Sequence, residues 1–73
     1  MSALAPVRVL IVDDHALVRA GVRAHLAGHV EVVGEADDVG TAIRAVLATQ
    51  PDVVLLDVHL PSGTGADVLA AVA

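Results

Sequence analysis

Residues 7–15 read VRVLIVDDH: six residues, nearly all apolar and rich in β-branched side chains, that stop abruptly at two aspartates. Nearly continuous apolarity marks a parallel strand covered on both faces, and therefore a sheet flanked by helices. The period then changes. From residue 16 to residue 26, Val18, Val22 and Leu26 recur every four positions beside Leu17, Gly21 and Ala24, while Arg19 and Arg23 share a polar side. This spacing predicts an amphipathic helix, closed by Gly28.

The remaining elements follow the same alternation. Residues 30–36, VEVVGEA, predict a second strand, exposed and edge-like because Gly34 and two glutamates interrupt it. Asp37 and Asp38 offer caps to a helix carrying Val39, Ile43, Val46 and Leu47 at helical spacing, which Pro51 stops after Gln50. Residues 53–56, VVLL, end at Asp57 and predict a strand buried on both faces, read as the central element of the sheet. A loop over residues 58–63 leads to a third helix over residues 66–73, with Val68, Leu69 and Val72 on one side. Strands joined by helices imply parallel pairing through right-handed crossovers, hence an α/β doubly wound sheet of three strands and three helices.

Composition narrows the class. Seventy-three residues hold at most one domain, and a chain of that size buries only about 60% of its unfolded surface. The core must come from Val, Leu, Ile and Ala, because Phe, Trp and Tyr are absent although apolar residues make up 56% of the chain. Without cysteine there is no disulfide, thiol chemistry or cysteine zinc site. The charge is −5, with nine acids against four arginines and no lysine, which argues against direct nucleic-acid binding by this segment. No apolar run reaches membrane length and the N-terminus lacks a basic leader pattern, so a cytoplasmic location is expected.

In doubly wound sheets chemistry gathers at the carboxyl ends of the strands. Two of those ends carry acids: Asp13 and Asp14 after the first strand, Asp57 after the third. If those strands are neighbours, three carboxylates converge in one cleft, where a cation relieves their repulsion. Hard oxygen donors in an open cleft favour Mg2+. The competing reading of Asp13 and Asp14 is a pair of helix caps. Asp57 weighs against it, since an acid ending a buried strand carries a desolvation cost that capping does not offset. His25 and His29 are four apart, but Gly28 lies between them and leaves them as surface residues rather than a helical metal pair.

The run VLIVDDHALVRAGVRAHL, followed at the right distance by PDVVLLDVHLPSGTG, resembles the receiver domain of bacterial two-component response regulators. The string DDHALVRAG is similar to the NarL/FixJ type, whose receiver precedes a LuxR-like helix-turn-helix domain. The likeness runs from Val7 onward, leaving residues 1–6 as a tail and residues 7–73 as the N-terminal part of a receiver. It implies a flavodoxin-like fold with strand order 2-1-3. It also implies that Asp57 is the phosphoacceptor, charged by a sensor histidine kinase, and that Asp13, Asp14, Asp57 and the backbone carbonyl of His59 bind Mg2+. Pro61 and Gly65 match the residues that shape the loop into the third helix, with Leu60 at a usual Met position, and His59 is placed to tune dephosphorylation.

The resemblance also implies what is missing. The family continues with two more strands and helices, which supply a Ser or Thr and a Lys at the phosphoryl group. This chain has no lysine, and Thr64 lies in the wrong loop. The 73 residues alone are therefore expected to phosphorylate weakly or not at all, and to act as a phosphoacceptor rather than an enzyme. An alternative is a phosphorylation-independent pseudo-receiver serving as an interaction module. The bared third strand also predicts a swapped or edge-paired homodimer. A cobalamin module is disfavoured by Ser62 where Gly is required, and a dinucleotide fold by DDHALV where GxGxxG belongs. A haloacid-dehalogenase-like phosphatase is disfavoured by His59 where a second acid belongs.

Overall fold

A computed structural model describes residues 6–57, 59–60 and 63–72. The elements are β1 (Arg8–Val12), α1 (Ala16–Leu26), β2 (Glu31–Ala36), α2 (Val39–Thr49) and β3 (Val53–Leu56), followed by β4 (His59–Leu60), β5 (Gly63–Thr64) and α3 (Gly65–Val72). The first three strands form one parallel sheet in the order β2-β1-β3. The doubly wound α/β architecture read from the sequence is present.

The central strand is β1, not β3. Leu10 and Val12 of β1 join Ala36, Ala42 and Val68 in the buried cluster, with Val39, Ile43, Val46, Val54 and Leu56 packed around it. Successive side chains of a strand point to opposite faces. Val9 and Ile11, also buried, therefore face the other side of the sheet, where Ile11 meets Val18 and Val22 of α1 across a shared trough. The residues of β3 alternate between exposed and half-buried, with Val53 at 42% and Leu55 at 40% exposure. Four apolar residues in a row specify a strand whose faces both want cover, but they do not say how many neighbours it has. Among the described residues β3 pairs with β1 alone.

Local signals explain the element ends. Asp38 caps α2 by accepting the Thr41 N–H at 2.8 Å, while the Asp38 N–H donates back to the Thr41 hydroxyl at 3.3 Å. Gln50, in the left-handed conformation, closes α2 just before Pro51. Gly28, with φ of 83°, makes the turn after α1. The edge strand β2 carries a register shift opposite Val9 and Leu10, where Val9 pairs with Val32 and Leu10 with Gly34.

Three further expectations need correction. The segment read as a loop contains an antiparallel pair, with His59 opposite Thr64 and Leu60 opposite Gly63. Two-residue strands carry no periodicity that a sequence reading can detect. In α3, Val68 is buried while Leu69 is 58% exposed, so the two do not share an inward face. Consecutive positions on a helix are about 100° apart, and only one of them meets the core. In α1 no residue is fully buried, and Leu17 is 88% exposed. Residues 1–5, Val58, Pro61, Ser62 and Ala73 lie outside the described residues, as do the side chains of His59, Leu60 and Val72.

Candidate functional site

Two backbone ladders build the site. The Asp13 N–H donates to the Ala36 carbonyl at 3.0 Å, and the Asp57 N–H donates to the Val12 carbonyl at 2.9 Å. These bonds prolong the β1–β2 and β1–β3 pairings by one residue and set Asp13 and Asp57 side by side at the carboxyl end of the sheet. Asp14 follows on the turn into α1. Ligand atoms of Asp13, Asp14, His15 and Asp57 all lie within 4.8 Å of one another.

The two aspartates after β1 are not helix caps. The N-cap of α1 is His15, whose side chain makes no capping bond. Asp13 instead braces the turn, its Oδ1 accepting the His15 N–H at 2.8 Å. The His15 ring closes over the acids, with Nδ1 3.1 Å from Asp13 Oδ1 and 2.8 Å from Asp14 Oδ1. The backbone N–H of His15 holds the Asp13 carboxyl below the usual carboxylate range, aided by the His15 ring and by Arg19. Reciprocally, the hydrogen bond to Asp13 and the charges of Asp14, Asp13 and Asp57 push the His15 imidazole up. The sequence reading gave His15 no place in the site. Its adjacency to two acids was the available signal.

Arg19 was also missed. The polar side that it shares with Arg23 does not simply face solvent, because both arginines reach across to β2. Arg19 Nε donates to Glu35 Oε1 at 3.0 Å, and Arg23 Nη1 donates to Glu35 Oε2. Arg19 Nη1 also donates to the main-chain oxygen of Asp13 at 2.6 Å. Arg23 first, then Arg19, holds the Glu35 carboxyl below its usual range.

On the far side of Asp57, Gly65 begins α3 so close to the strand end that an added Cβ would lie 2.9 Å from the Asp57 carbonyl oxygen and 3.0 Å from the Leu56 side chain. Gly65 is therefore required by close approach. Thr64 is engaged elsewhere, its N–H donating to Asp67 Oδ2 at 2.8 Å at the start of α3. His25 lies in α1 and His29 beyond its end, so no helical histidine pair forms. An open trough of about 350 Å³, lined by Ile11, Val12, Val18, Val22, Leu55 and Leu56, runs up to Asp13 and Asp57.

Three hard carboxylates from two adjacent strand ends suit a hard divalent cation such as Mg2+, with the imidazole nitrogen of His15 the one other donor of the group. Asp13 and Asp14 side chains are 20% and 31% exposed, leaving room for the water ligands such a cation retains. Among the described residues no helix is long and apolar enough to cross a membrane.

The family model described as response regulator receiver domain matches residues 9–73. The "Probable transcriptional regulatory protein NarL" of Mycobacterium tuberculosis is 54% identical over 68 residues, covering 90% of this chain and 32% of that protein. The "DNA-binding transcriptional activator DevR/DosR" of the same species is 48% identical over 61 residues, covering 81% of this chain and 28% of that protein. Among solved structures, the signal receiver domain of NarL from Mycobacterium tuberculosis superposes with a TM-score of 0.84 at 52% identity, covering 94% of this chain and 57% of that one. A LuxR-family two-component response regulator from an Aurantimonas species superposes with a TM-score of 0.86 at 36% identity, covering 93% of this chain and 50% of that one.

Proposed function

Because the chain belongs to the response regulator receiver family, we propose that Asp57 is its phosphoacceptor, charged by the phosphohistidine of a sensor kinase and assisted by Mg2+. The observation that carries this reading is the convergence of Asp13, Asp14 and Asp57 within 4.8 Å at the ends of adjacent strands. A carboxylate oxygen of Asp57 attacks phosphorus, and a P–O bond forms as the P–N bond to the kinase imidazole breaks, its electron pair staying on the imidazole nitrogen. The chain contributes the nucleophile, fixed by the backbone bond to Val12, and two further carboxylates, Asp14 and Asp13. A bound Mg2+ supplies charge neutralisation for these carboxylates and for the phosphoryl oxygens.

The backbone carbonyl of His59 serves as a further metal oxygen, Pro61 and Gly65 shape the loop beside the acceptor, and the His59 side chain tunes dephosphorylation. The chain spans 32% of the length of its NarL relative. Residues 7–73 are the first part of a receiver in a cytoplasmic regulator, joined to a helix-turn-helix domain that the modified receiver controls. The absence of lysine makes the 73 residues alone a poor acceptor.

Intact mass spectrometry after incubation with acetyl phosphate and Mg2+ tests the reading. The full-length protein is expected to gain one phosphoryl group, and Asp57→Asn to gain none. Failure of the full-length wild type to gain it would favour the pseudo-receiver, an interaction module independent of phosphorylation.

A further inference from the structure

We infer that Arg19 is a positioning residue for the acidic pocket, holding the Asp13–Asp14 peptide in place through the Asp13 main-chain oxygen. The inference rests on the reading of that pocket as a divalent-cation site. The Arg19 side chain is only 19% exposed and links α1 to β2 and to the turn after β1. Nε is anchored on Glu35 of β2 at 3.0 Å, and Nη1 reaches the Asp13 oxygen at 2.6 Å.

The Asp13 oxygen belongs to the peptide unit that joins the two acids after β1, so its direction sets where both carboxylates leave the backbone. That unit sits where ladder bonding gives way to the turn, between the Asp13 N–H bond to Ala36 and the helix start at Ala16. Groups that hydrogen-bond the scaffold of a metal ligand orient it, and their loss typically weakens metal binding about 10- to 100-fold. The planar fork of arginine fits this task, since two of its nitrogens donate in fixed, different directions.

Arg23 provides the internal control. It binds the other oxygen of the same Glu35 from the same helix, but among the described residues it makes no hydrogen bond to Asp13. If Arg19 merely clamped α1 to β2, the two arginines would be equivalent.

The test compares Mn2+ affinity of the intact protein with those of Arg19→Ala and Arg23→Ala, alongside the cation-free 15N shift of the Asp14 amide, whose peptide carbonyl Arg19 polarises. Arg19→Ala is expected to bind Mn2+ about 10-fold more weakly and to move the Asp14 shift, with Arg23→Ala within about twofold of wild type and its Asp14 shift in place. Equal losses in the two variants, or wild-type affinity in Arg19→Ala, would overturn the inference. Should Arg19→Ala not fold, Arg19→Lys keeps the charge without the fork and is expected to bind with intermediate affinity. Unchanged affinity there overturns the inference equally. A wild type that binds no Mn2+ overturns the cation-site reading itself, and with it this role for Arg19.

Discussion

Asp57 is tied to Val12 by a main-chain hydrogen bond of 2.9 Å, which makes its separation from Asp13 in the first place a property of the sheet. Changing the Asp14 side chain should therefore alter the chemistry of the pocket while leaving its frame in place, whereas the Asp13 side chain also braces the turn into α1.

Cation binding follows first. Saturating Mg2+ is expected to raise the thermal midpoint, since a ligand at about 100 times its dissociation constant adds about 2.7 kcal/mol to the folded state. Asp14→Asn should retain the fold and lose most of that gain. Differential scanning fluorimetry with and without Mg2+ reads both, and an equal gain in the variant would remove Asp14 from the cation site.

Gly65→Ala inserts a methyl group 2.9 Å from the Asp57 carbonyl and 3.0 Å from Leu56. Relief of such crowding costs about 1–3 kcal/mol, so the thermal midpoint should fall by several degrees. Because the nearest atom is the Asp57 main-chain oxygen, Mg2+ affinity should fall too. Circular dichroism melting with a Mg2+ titration checks the pair.

Acid and base arms of the stability profile have different owners. Glu35 is held low in the fold, chiefly by Arg23, so its contribution is complete above the unfolded-chain carboxylate value and is lost as pH falls through the lower folded one. Glu35→Gln should flatten that acid arm in urea unfolding at stepped pH. His15 is held high, by its hydrogen bond to Asp13 first, so its contribution is complete below the usual histidine value and is lost as pH rises through the higher one. A 1H NMR titration of the cation-free protein should place its midpoint above the usual histidine value, and Asp13→Asn should bring it down.

A polypeptide of these 73 residues presents Val53 and Leu55 on an exposed strand with no lysine or proline inside it to discourage pairing. Its sedimentation coefficient should rise with concentration as edges pair. Leu55→Lys should suppress that rise with little effect on the melting curve. A concentration-independent monomer in the wild type would exclude edge pairing.

Much of the architecture was legible because its strongest signals are uninterrupted. VRVLIV and VVLL allow few readings other than strands, and the aspartates that end them fall at the ends that doubly wound sheets use. The Asp38 cap was visible as a residue type in the right place. What stayed hidden depends on neighbours in space. The exposure of β3 follows from which strands flank it, and the outward aim of Leu17 and Leu69 from how α1 and α3 sit on the sheet. The bond from Arg19 to Asp13 ends on a carbonyl oxygen, a group every residue carries, so no pattern of side chains announces it. The Glu35 link had a faint signal in two arginines one helical turn apart, facing a strand that carries that glutamate.

The strand order β2-β1-β3 also imposes a timetable on synthesis. The middle strand is the first of the three to leave the ribosome, and the partner that carries Asp57 at its end is the last. While β2 and α2 emerge, Asp13 and Asp14 stand beside the Ala36 end of β2 without Asp57. The three-carboxylate pocket comes into existence only when β3 docks and its ladder reaches Asp57. A cation held by the three carboxylates would stabilise the finished sheet only, leaving early assembly to the β1–β2 pairing and the apolar face of α2.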